Sequence, residues 1–158
     1  MKRFFVIIIS ISMILSLCII HSYAQEQDSI IYNEALLVQY DNGSYITVSI
    51  GRSQNPNSRG SVSDYKSLTY RNGSGEVEWV YTLYGTFAYV YGTSSTCTKV
   101  SYDYTIYDNS WEFSNGSCSR SGGTAYGYGT FKNKFLGITT KTINIDTYLT
   151  CDIYGNLS

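Results

Sequence analysis

Glu76 and Glu78 stand two residues apart, and on an extended strand that spacing sends both carboxylates to one side, opposite Trp79 and Tyr81. A close carboxylate pair is what glycoside hydrolysis uses, one group giving a proton while the other attacks or activates water. Catalytic pairs normally converge from separate segments, so two glutamates in one run read more simply as the solvated start of a strand. Asp103, Asp108 and Glu112 could offer oxygen ligands to calcium. They lack the dense acidic spacing and turn glycine of an EF-hand loop and read as exposed turn residues. The single histidine, His21, lies in an N-terminal segment expected to be removed, and a domain without histidine has no Ser-His or Cys-His catalysis and no histidine zinc site. No catalytic residue, metal site or cofactor is expected.

Three cysteines remain beyond that segment, Cys97, Cys118 and Cys151, at a spacing that matches no metal-ligand pattern. Three allow one bridge and one leftover. Pairing Cys97 with Cys151 would tie the middle of the domain to its last strand and close a loop of about 55 residues, worth roughly 4 kcal/mol at most by chain entropy. Cys118 would then be a buried thiol or an intermolecular link.

Tyrosine is the most informative excess, with 17 in the chain. If strand alternation holds, Tyr84, Tyr107 and Tyr148 face outward, and Tyr126 and Tyr128 share one face beside Gly127 and Gly129. Such rings offer flat apolar area with a hydroxyl at the tip, suited to a sugar, a peptide strand or another protein. Tyrosine is also a good strand former, and cross-strand rings stabilise a sheet without binding anything.

These residues need elements to hold them. The chain starts Met1-Lys2-Arg3, continues with an uncharged apolar run from Phe4 to Ile20, and reaches small residues at Ser22 and Ala24. That order describes a secretory signal over residues 1–24, cut after Ala24, rather than an anchor helix or a lipoprotein lipidated at Cys18. The remaining residues, 25–158, suit one domain with a real core. Loss of Lys2 and Arg3 takes the 11 basic residues to nine against 12 acidic ones, and no basic run interleaves with aromatics, so nucleic acid is not expected as a partner. Export would place the domain outside the cell, with no stable membrane insertion after cleavage and with disulfides permitted.

Alternation of apolar and polar residues marks strands from Trp79 to Tyr91, from Lys99 to Ile106 and from Thr142 to Cys151, with a shorter one over Ile46, Val48 and Ile50. Trp79 and Trp111 read as core. Asn42-Gly43, Asn72-Gly73 and Asn115-Gly116, each followed by serine, read as tight turns rather than glycosylation sites. Arg52 to Gly60 reads as the longest polar loop, and Ser29 to Tyr40 fits either a strand or one or two helical turns. Short strands between such turns predict an all-β fold, an antiparallel two-sheet β-sandwich, with a small barrel as the alternative.

Tyr84-Gly85-Thr86-Phe87, Thr96-Cys97-Thr98, Asn109-Ser110-Trp111, Phe135-Leu136-Gly137, Leu149-Thr150-Cys151 and Gly155-Asn156-Leu157-Ser158 together give a pattern over about Tyr81 to Ser158. It resembles a group of small secreted proteins of Gram-positive bacteria known only as a domain of unknown function. The resemblance implies that Cys97 and Cys151 are the family pair and that Cys118 is an addition of this chain. It implies no activity. The expected function is a secreted, non-catalytic module that binds an extracellular or cell-surface ligand, a glycan or a protein, through Tyr84, Tyr107, Tyr126, Tyr128 and Tyr148. A secreted antagonistic peptide or toxin and a carboxylate hydrolase are the alternatives.

Overall fold

The computed structural model describes residues 34–51 and 59–158. The predicted signal, the residues from 25 to 33 and most of the predicted polar loop lie outside the described residues. Eight strands follow in chain order: β1 (Ala35–Gln39), β2 (Tyr45–Ile50), β3 (Arg59–Arg71), β4 (Val77–Val90), β5 (Ser94–Ile106), β6 (Trp111–Ser121), β7 (Thr124–Phe135) and β8 (Ile138–Thr150). They form a five-stranded sheet in the order β1-β2-β3-β4-β5 and a three-stranded sheet in the order β6-β7-β8. Every pairing is antiparallel. The sheets do not close into a barrel, so the sandwich holds and the barrel alternative does not. The segment left open between strand and helix is strand β1 where it is described.

Alternation explains which face each strand buries. On β4 the odd residues Trp79, Tyr81, Leu83 and Phe87 are fully buried, while Tyr84 and Ala88 on the other face are exposed. Opposite lie Ala125 and Phe131 of β7 and Ile143, Ile145 and Leu149 of β8, all buried. A column of rings joins the layers: Tyr70 stacks on Trp79 at 5.1 Å, Trp79 on Phe131 of the other sheet at 4.0 Å, and Trp111 meets Trp79 edge-on at 6.1 Å. Burying rings of this size supplies much of the apolar area that a sandwich needs.

The Tyr-Gly-Tyr-Gly run has a packing reason. Gly127 faces inward, and a Cβ there would stand 2.7 Å from the Tyr81 hydroxyl and 2.9 Å from a Leu83 methyl. Without a side chain at that point, the β4 aromatics can press against the β7 backbone, and Tyr81 donates to the carbonyl of Tyr128 at 3.3 Å. The tyrosines between the glycines are left on the outer face.

Three local expectations are corrected. Asn115-Gly116 is not a hairpin turn but lies inside β6, where the ladder shifts register between Phe113 and Asn115. Gly116 is there because a Cβ would meet the Phe113 ring at 2.4 Å. The hairpin turn comes later, at Gly122 with φ 52°. Tyr107 follows the end of β5 and sits in the loop that carries the chain to the second sheet, where its N–H donates to the Glu78 carbonyl at 2.8 Å. The polar loop ends before Gly60, because β3 already begins at Arg59.

Candidate tyrosine surface on the three-stranded sheet

The outer face of the smaller sheet follows from its register. β7 is the central strand, pairing Ser119↔Tyr126 and Ser117↔Tyr128 on one side and Tyr126↔Tyr148, Tyr128↔Asp146 and Thr130↔Asn144 on the other. Residues directly opposite on an antiparallel pair share a face, about 5 Å apart at Cβ. Tyr126, Tyr128 and Tyr148 therefore lie side by side, 42%, 36% and 55% exposed. Ser117, Ser119, Asp146 and Asn144 frame them.

Hydrogen bonds order one end of this face. Thr130 Oγ1 donates to Asn144 Oδ1 at 3.0 Å and meets the Tyr128 hydroxyl at 2.9 Å, so the Tyr128 ring is held rather than free to rotate. At the other side Lys66 of β3 passes the β8 edge and sets its Nζ 4.9 Å from the centre of the Tyr148 ring. Burial pushes the Lys66 ammonium below the ordinary lysine range, since a partly desolvated cation is less stable. Ser117, Ser119, Tyr126, Tyr128 and Asp146 border a shallow open depression of about 310 Å³. Flat rings beside a carboxylate, an amide and hydroxyls make a surface that can stack on one side of a ligand and hydrogen-bond its rim.

The five predicted tyrosines do not form one site. Tyr126, Tyr128 and Tyr148 are together. Tyr84 lies on the outer face of the five-stranded sheet, where its ring pairs with Tyr65 at 6.0 Å. Tyr107, 63% exposed, stands on the loop between the sheets. Asp146, Asn144, Thr130 and Lys66 were absent from the sequence-based set. Alternation along β8 does place Asn144, Asp146 and Tyr148 on one face, but only the register against β7 shows which rings they border.

The expected Cys97–Cys151 bond is not formed in the structure: Cys97, Cys118 and Cys151 are all thiols, none at disulfide distance from another, the first and last buried. Cys97 and Cys151 flank one turn: the Cys97 N–H donates to the Gly122 carbonyl at 2.7 Å, and the Cys151 N–H to that of Gly123 at 2.9 Å. Burial raises the pKa of both thiols, and Arg120 partly offsets this at Cys97. Cys118 packs against the core at the β6 edge.

The carboxylates have structural partners. Trp111 Nε1 donates to Glu78 Oε2 at 2.8 Å, and Asn72 Nδ2 to Glu76 Oε2 at 2.8 Å within the β3–β4 turn. Asp108 accepts the Ser110 N–H at 2.8 Å, Asp103 the N–H of Tyr104 at 2.8 Å, and Glu112 pairs with Lys134 at 2.6 Å. Among the described residues no three His, Cys, Asp or Glu side chains group as a metal site. No family model, curated protein or solved structure matches the chain, so none bears on the resemblance over Tyr81 to Ser158.

Proposed function

We propose that this protein is an exported, non-catalytic binding module that takes a glycan chain of the cell surface or matrix on the outer face of its three-stranded sheet. The observation that carries this reading is the row of neighbouring, exposed rings Tyr126, Tyr128 and Tyr148 with Asp146 and Asn144 at their border. Sugar rings present an apolar face of C–H groups and an equatorial rim of hydroxyls. Tyrosine covers the first, while carboxylate and amide oxygens accept from the second. Asp146 also disfavours a strongly acidic polymer, since like charges repel across a dry contact.

The test is co-sedimentation of the purified protein with isolated cell walls and a panel of insoluble polysaccharides. Saturable binding is expected, weakened about three- to tenfold by Tyr126→Ala or Tyr148→Ala, the scale of one aromatic contact. Tyr84→Ala, on the opposite sheet, is expected to leave it unchanged. Equal losses from Tyr84→Ala and Tyr148→Ala, or no saturable binding to any polymer, would sink the reading.

A further inference from the structure

The turn between β7 and β8 exposes its most apolar residues where a soluble hairpin normally places polar ones. Phe135 is 68% exposed, Leu136 87% and Ile138 70%. Phe135 pairs with Ile138, and the two residues between them, Leu136 at φ 50° and Gly137 at φ 80°, both take the left-handed conformation of a two-residue hairpin turn. Asparagine or glycine holds that conformation at less cost than leucine, and either would avoid exposing an isobutyl group to water. Leu136 is the single non-glycine with positive φ among the described residues. Strain and exposure at one side chain together point to a role outside the fold.

The shape and charge of the hairpin point to its partner. From Lys132 to Lys141 the chain holds three lysines and no acidic residue, although the chain as a whole is net negative at −1. Lys134 is engaged by Glu112 of β6, and Lys141 turns back toward the sandwich, donating to the Tyr70 hydroxyl at 2.9 Å. Lys132 lies on the outer face beside Glu112 in the β6–β7 ladder. The tip itself projects past the loop that carries Tyr107, because Ser110 accepts the N–H of Lys134 at 2.6 Å and residues from Phe135 onward lie beyond that bond. A convex apolar tip with a lysine behind it can enter the acyl boundary of a bilayer without a matching socket.

We infer that the β7–β8 hairpin is a membrane-docking device: Phe135, Leu136 and Ile138 dip into an anionic phospholipid surface while Lys132, left over once Glu112 has paired with Lys134, meets its headgroups. This is reversible adsorption at the interface, of the kind that needs an apolar insertion and a basic contribution together. It is independent of the glycan face.

The apolar run from Phe4 to Ile20 can tether the full chain to vesicles by itself, so the readout must come from the tip. A tryptophan is introduced by Leu136→Trp, and its emission is followed with vesicles of phosphatidylcholine and phosphatidylglycerol in equal parts, made with or without acyl-chain bromine. The expected result is a blue shift and quenching by the brominated lipid. In that background, Phe135→Ser with Ile138→Ser should cut quenching about tenfold or more. Lys132→Gln should weaken it about fivefold, and pure phosphatidylcholine should give less of it. Emission that stays unquenched on both vesicle types would overturn the inference. So would a blue shift that grows with protein concentration in the absence of lipid, which would instead assign the tip to a second copy. Ile138→Trp repeats the experiment if the first variant does not fold.

Discussion

At the scale of single residues, Cys97 and Cys151 are buried thiols. Each keeps its proton above the value of 9.0 that an ordinary thiol has, because burial penalises the thiolate. Unfolding releases both to that ordinary value, so at alkaline pH the unfolded chain holds fewer protons than the folded one. Their contribution to stability is therefore fully present below pH 9 and is lost as pH rises through the raised folded values. Urea unfolding of the reduced protein across this range should show the fall. The two thiols also flank the Gly122-Gly123 turn, one on β5 and the other at the end of β8, so a bond between them would join the two sheets. Treatment with oxidised glutathione should remove one hydrogen from each thiol, form the Cys97–Cys151 bond and release two molecules of reduced glutathione. The oxidised protein should lose the cysteine part of the alkaline fall and gain up to roughly 4 kcal/mol. Peptide mapping that finds Cys118 in the bond instead would refute the pairing.

At the scale of elements, the β7–β8 hairpin trades stability for the side chains at its tip. A leucine in the left-handed region costs about 1 kcal/mol relative to residues that adopt it readily. Leu136→Asn should therefore raise the stability of the fold by about 0.5–1 kcal/mol, read from the urea midpoint, while removing the most exposed apolar group of the hairpin. A loss of stability would mean that the leucine packs on something within the protein. β6 shows the opposite economy. Its start is pinned by Trp111, buried against Trp79 and Tyr70 and bonded to Glu78, so the carboxylate that looked available for chemistry holds a strand in place.

For the whole molecule, the ring column through Tyr70, Trp79 and Phe131 couples the two sheets, and neither sheet has an apolar face that stays dry without the other. Such a sandwich should unfold as one unit. Tryptophan emission, which reports Trp79 at the sheet interface and Trp111 at its edge, and far-ultraviolet circular dichroism, which reports both sheets, should give superimposable urea transitions. A tryptophan transition that precedes the loss of strand signal would show that the sheets separate before they melt.

The alternation in residues 79–91 and 142–151 was enough to identify β4 and β8 and to name their buried faces, because burial on one side of a strand is written in the order of its own residues. The outward set on β8, including Tyr148, was legible for the same reason. β3 was not. Its inward row runs Val62, Asp64, Lys66, Leu68 and Tyr70, and the two charges interrupt the pattern, Lys66 reaching out to the Tyr148 ring of β8. Asn115-Gly116 misled because the same dipeptide serves a turn or a bulged strand, and the choice rests on Phe113 needing the space beside Gly116. Only the tertiary structure decided which tyrosines share a surface. Tyr126, Tyr128 and Tyr148 become neighbours through the β7–β8 register, and Tyr84 is sent to the far side by the corner between β5 and β6. Local sequence carries the period of a strand, whereas register and sheet membership arise from contacts between segments far apart in the chain.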